Sequence, residues 1–117
     1  MKVLVCGGRN YKSIKELNDF LNTFHARHQI TLLITGAAKG ADRLADGWAS
    51  RQGIARAIFP ANWIGEGHSA GFKRNRRMID ITNPDVVIAF SGGPGTANTV
   101  EQAKRVKIVT IEVGPLP

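Results

Sequence analysis

The chain has 117 residues, 43% of them apolar and 21% charged, ordinary globular proportions that exclude a disordered chain. Sixteen Lys and Arg against nine Asp and Glu leave a formal charge of +7, which favours an anionic partner (a nucleotide, nucleic acid or a membrane surface) without choosing among them. One domain spanning residues 1–117 is expected at this length; it can bury roughly two-thirds of its unfolded surface and needs no staples.

The run "KVLVC" (2–6) reads as a short buried strand ending at Gly7-Gly8. It starts too early for a secretion signal, and no apolar stretch in the chain approaches the roughly 18 residues of a membrane span. The expected setting is therefore cytoplasmic, with no membrane partner. Cys6, alone in the sequence, has no disulfide partner and reads as a small core hydrophobe rather than a nucleophile.

A helix is predicted over 13–28, with Ile14, Leu17, Leu21 and Phe24 on one face and Ser13 with Glu16 as a capping box. A second strand follows over 30–36, with Gly36 at its exit. A helix over 41–52 carries Leu44, Ala45 and Trp48 on one side, and Gly53 ends it. A third strand over 55–59 stops at Pro60. The stretch 60–71 is glycine-rich and irregular, and it leads into a basic helix over 72–81. "DVVIAF" (85–90) is the fourth strand; a glycine loop, a helix from about Thr96 to Arg105, a fifth strand over 107–113 and a tail over 114–117 complete the chain.

Five buried strands alternating with helices imply an α/β three-layer domain with a five-stranded parallel sheet. Right-handed crossovers allow the order 3-2-1-4-5, with a switch point between strands 1 and 4, where ligands of open sheets sit. The loops placed there are "GGRNY" (7–11) and "SGGPGT" (91–96).

Such loops leave backbone N–H groups unpaired at a helix N-terminus, where the helix dipole adds to their pull on anions. Gly92, Gly93 and Gly95 carry no Cβ to keep a phosphate away, and Thr96 can cap the helix or donate its hydroxyl. The bland alternative is a tight turn. Three glycine-bearing strand exits on one edge (Gly7-Gly8, Gly36 to Gly40, Gly92 to Gly95) favour the anion site. Neither the Walker A pattern nor the dinucleotide fingerprint fits.

Further candidates are Arg9, able to hold a phosphate with both arms of its guanidinium, and Lys39 and Asp42 flanking the second loop. Asp42 suits a ribose hydroxyl or, more simply, a helix cap. Tyr11 or Trp63 could stack on a base or close over the core. Within "KRNRR" (73–77), Arg74 and Asn75 can project into the crevice while Arg76 and Arg77 point elsewhere; the run can equally be a solvated helix face. His25, His28 and His68 lack metal-like spacing, so neither a metal site nor a cofactor is expected.

Taken together, "VLVCGGRNY", "LLITGAAKGADRLADGWA", "IFPANW", "AGFKRNRRMID" and "VVIAFSGGPGTANTV" resemble the small SLOG-superfamily proteins of the YspA/YpsA-like type, frequent in phages and bacteria and often of unknown function. The resemblance covers nearly the whole chain. It implies a Rossmann-like sheet, a pocket for a nucleotide-derived ligand, and a homodimer or higher oligomer formed through helices beside the pocket. LOG-type phosphoribohydrolases in the same superfamily carry Pro-Gly-Gly-x-Gly-Thr-x-x-Glu with an essential Glu, and an essential Arg on a preceding helix. By that resemblance Arg74 is the candidate catalytic residue, but Thr99 stands where the Glu is needed. Glu101, two residues on and turned by about 200°, cannot replace it.

Cleavage of a glycosidic bond needs a carboxylate to activate water or stabilise developing charge. The leading expectation is therefore a protein that binds, senses or processes a small nucleotide derivative. Phosphoribohydrolase activity on nucleoside monophosphates is the enzymatic alternative. Single-strand nucleic-acid binding through residues 73–77, resembling the Arg-Asn-Arg of DprA-type relatives, is the third.

Overall fold

The computed structural model describes residues 1–114. The elements run β1 (Lys2–Cys6), α1 (Ile14–His28), β2 (Leu32–Thr35), α2 (Ala41–Gln52), β3 (Ala55–Ile58), α3 (Trp63–Glu66), a 3-10 turn (Gly67–Ser69), α4 (Ala70–Thr82), β4 (Val86–Phe90), α5 (Pro94–Arg105) and β5 (Val109–Val113). The five strands form one parallel sheet in the order β3-β2-β1-β4-β5, as the alternation of elements predicts.

Alternation along β1 assigns its side chains to two cores. Val3 and Val5 join Leu17, Leu21, Leu33, Trp48, Ile88 and Phe90 beneath α1 and α2. Leu4 and Cys6 join Ile34, Met78, Val87, Val100 and Ala103 beneath α4 and α5. The helices thus cover both faces. Burial is concentrated in the inner strands, however. Of the two edges β3 is largely exposed and β5 alternates between exposed and half-buried residues, so the expectation of five buried strands holds for three.

Several boundaries move for local reasons. α5 begins at Pro94 rather than Thr96, because proline needs no N–H at a first helical position. β5 begins at Val109 rather than 107, because Lys107 (φ 61°) turns the chain after α5. β2 and β3 are shorter than predicted at one or both ends, and α4 gains a residue or two at each end. Part of the stretch expected to be irregular is α3, capped where the Asn62 side chain accepts the Gly65 N–H at 3.0 Å. Gly53 ends α2 in the left-handed conformation, as predicted.

Two details of α1 differ from expectation. Ile14 is 48% exposed, because it precedes the turns that lie on the sheet. Ser13 makes no side-chain cap, and Glu16 instead accepts the Tyr11 hydroxyl at 2.5 Å, so no capping box forms. Among the described residues no helix is long and apolar enough to cross a membrane. Of the expected tail, residues 115–117 lie outside the described residues.

Candidate functional site

At the carboxyl ends of β1 and β4 opens a cleft of about 940 Å³. Its walls are the loop after β1, the loop after β4 running into α5, and the segment from Trp63 into α4. Gly8 N–H donates to the Ser91 carbonyl at 2.9 Å, joining the two loops across the switch point.

The glycines here do two different jobs. A Cβ on Gly92 would lie 2.2 Å from Thr96 Oγ1 and 2.6 Å from Gly8 N, and one on Gly7 would lie 2.5 Å from Ala41 Cβ. These residues are small so that the chain can pack on itself. Gly93 and Gly95 meet nothing within 4 Å of an added Cβ, so packing does not require them; they leave the N-terminal turn of α5 bare. Gly93 is the N-cap, and Thr96, lining the cleft one turn inside, is not a cap. The unpaired N–H groups of that turn and the positive end of the helix dipole are chemically able to attract an anion.

Arg74 and Asn75 both line the cleft from α4. Arg74 Nη1 donates to the Gly36 carbonyl and, at 3.4 Å, to the Phe59 carbonyl, while its Nε donates to Asn75 Oδ1 at 2.8 Å. Gly36 does not line the cleft; its missing Cβ makes room for the guanidinium, 2.5 Å away from where that atom would sit. Asn75, 2% exposed, donates through Nδ2 to the Gly95 carbonyl at 3.3 Å and to Asn98 Oδ1 at 3.1 Å. It therefore fastens Arg74 to the start of α5. Burial lowers the Arg74 pKa, and the Asp42 carboxylate opposes that shift.

Asp42 is 5% exposed and lines the cleft, but its Oδ2 accepts the N–H groups of Gly36 at 3.1 Å and Ala38 at 3.2 Å. It holds the second glycine loop instead of capping α2, whose N-cap is Gly40. Burial pushes its carboxyl up to about 6, against the pull of the Ala38 and Gly36 N–H groups and of Arg74 and Arg9. Lys39 is exposed and outside the cleft lining.

Arg9 lies over the Trp63 ring at 5.6 Å, both residues lining the cleft mouth. Elsewhere in the basic run Arg76 pairs with Asp80 at 3.0 Å and Arg77 with Glu66 at 2.9 Å, while Lys73 is exposed. Cys6 reaches the cleft floor, where burial raises its thiol pKa well above the usual range, so it is no thiolate nucleophile. Thr99 is buried and donates to the Gly95 carbonyl at 3.2 Å.

Sequence reasoning missed Glu16 and Gly71, both in the lining. Glu16 was hidden behind its capping-box reading. Gly71 had a usable signal, since glycine near a helix start that has no need of it points to a close approach.

A model of the YspA, cpYpsA-related SLOG family matches residues 1–64. The chain is also similar to the gene 61 protein of Mycobacterium phage D29, with 32% identity over 124 aligned positions spanning 99% of this chain and 98% of the phage protein.

Proposed function

The chain belongs to the YspA, cpYpsA-related SLOG family, and from that premise we propose that it binds a nucleotide or nucleotide-derived phosphate in the cleft between β1 and β4. One observation carries the reading. The Arg74 guanidinium and the bare N-terminal turn of α5 line the same cleft, and Asn75 ties them together. A fixed cation beside unpaired N–H groups suits a phosphate, and Arg9 at the mouth adds a second counter-charge. The ligand would lie across Gly7 and Gly8 at the switch point.

Thermal shift with AMP, ADP-ribose, NAD and cyclic nucleotides tests this. At 100-fold excess over Kd a ligand stabilises by about 2.7 kcal/mol, enough for a shift of several degrees. Arg74→Met should abolish the shift. No shift with any phosphorylated nucleoside would overturn the reading.

Cleavage of the N-glycosidic bond is the second reading, and Asp42 is the observation that favours it. Its raised carboxyl, near 6, suits an acid or base. Against it, Asp42 Oδ2 is occupied by the loop, Thr99 replaces a carboxylate, and Glu101 pairs with Arg105 outside the cleft. Chromatography of nucleoside monophosphates incubated with the protein is expected to show no free base. For single-strand binding the paired Arg76 and Arg77 give little support. A steep fall of oligonucleotide affinity with salt would revive it.

A further inference from the structure

The cleft holds aromatic rings in different states. Tyr11 is committed: its ring packs on Phe90 at 5.4 Å, and its hydroxyl donates to Glu16 at 2.5 Å, with the Ser13 carbonyl 3.2 Å away. Trp63 is 49% exposed. The benzo edge of its indole rests on α4 at Gly71, where a Cβ would lie 3.3 Å from Cη2, and Arg9 is its cationic neighbour. Phe72, turned about 100° around α4 from Gly71, stands at the rim.

Holding a large ring half exposed leaves apolar area that a flat ligand can cover. The guanidinium over it occupies a place that another planar group can take. The neighbourhood is informative too. The same Cβ point on Gly71 is 4.0 Å from Arg74 Nη2, so the indole and the proposed phosphate-binding cation adjoin across one small residue.

We propose that Trp63 is the face on which an aromatic base of the ligand stacks, so that the cleft takes nucleotides in preference to base-free sugar phosphates. This rests on the phosphate-binding reading of the same cleft. Stacking of a base on an aromatic side chain makes roughly a fivefold to 150-fold difference in affinity.

The test is calorimetric titration of wild type, Trp63→Phe and Trp63→Ala with AMP and with ribose 5-phosphate. Tryptophan emission is followed in parallel. Trp48 is 1% exposed and donates to Asn22 at 2.8 Å, so a ligand-dependent emission change reports Trp63. Wild type should bind AMP about tenfold or more tighter than ribose 5-phosphate, and Trp63→Ala should remove most of that advantage while changing ribose 5-phosphate affinity by less than about twofold. Trp63→Phe should retain most of it. Equal affinity of wild type for the two ligands, or equal weakening of both by Trp63→Ala, would overturn the stacking role while leaving phosphate binding intact. If neither ligand binds, the stacking role falls, and the phosphate reading falls with it when the wider nucleotide panel also gives no thermal shift.

Discussion

Gly8 and Gly92, on loops 84 positions apart in the chain, meet backbone to backbone: a Cβ on Gly8 would lie 3.0 Å from Gly92 Cα, and one on Gly92 2.6 Å from Gly8 N. Their contact sets the distance between the β1 and β4 loops, and so the width of the cleft. Gly95, one helical turn away, meets nothing.

The contrast gives opposite outcomes for one substitution. Gly92→Ala should destabilise by about 2 kcal/mol or more, since neither Thr96 nor the Gly8 backbone can retreat cheaply. Gly95→Ala should stabilise by roughly 0.5–1 kcal/mol through helix propensity, yet weaken phosphate-ligand binding by narrowing the approach to the α5 N-terminus. Urea melts and ligand titration of both variants check this. A Gly95→Ala protein that binds as well as wild type would make that glycine incidental.

These two kinds of glycine look the same in the sequence. Strands β1 and β4 are legible because residues 3–6 and 86–90 are continuous apolar runs, as burial on both faces requires. Right-handed crossovers allow the observed order of strands, and with it the edge that carries the cleft. Which glycine packs on backbone and which faces open space depends on pairings such as Gly8 with Ser91, which no local pattern encodes. Asp42 shows the same limit: an Asp near a helix start reads as a cap, whereas the fold turns its carboxylate back onto residues 36–38.

Asn75 joins α4 to α5 through one amide, accepting from Arg74 and donating to Gly95 and Asn98. Asn75→Ala would remove the three hydrogen bonds of a buried amide and leave Arg74 Nε without its acceptor, and should cost about 1–3 kcal/mol. It should also weaken nucleotide binding, because Arg74 loses the group that orients it toward α5. A stability loss with unchanged affinity would mean that Arg74 is held well enough by Gly36 and Phe59 alone.

Asp42 gives a stability profile with a defined sign. Its folded pKa is raised, from 3.8 to about 6, so the native state binds the proton more tightly than the unfolded chain. Stability from this group is therefore highest at low pH and declines as pH rises through the window from about 4 to 6, by up to about 1.4 kcal/mol per unit. Asp42→Asn keeps an oxygen for the Gly36 and Ala38 N–H groups and has no charge to bury. The difference in unfolding free energy between variant and wild type should shift in favour of the variant across that window and be flat above it. A difference independent of pH would mean the carboxyl is not perturbed.

Arg77 and Glu66 hold the segment bearing Trp63 against α4 through two hydrogen bonds, at 3.1 and 2.9 Å. The guanidinium keeps the Glu66 pKa below its usual value, so the pair should persist until the medium is more acidic than an ordinary glutamate requires. Both groups are partly solvated, so Arg77→Met should change global stability little. Its effect should be local. Freed from α4, the turn from Trp63 to Ser69 would let the indole leave its seat on Gly71. Acrylamide quenching of Trp63 should increase, with the buried Trp48 contributing a constant background, and AMP affinity should fall more than ribose 5-phosphate affinity. Unchanged quenching would mean that Gly71 and Arg9 alone fix the ring.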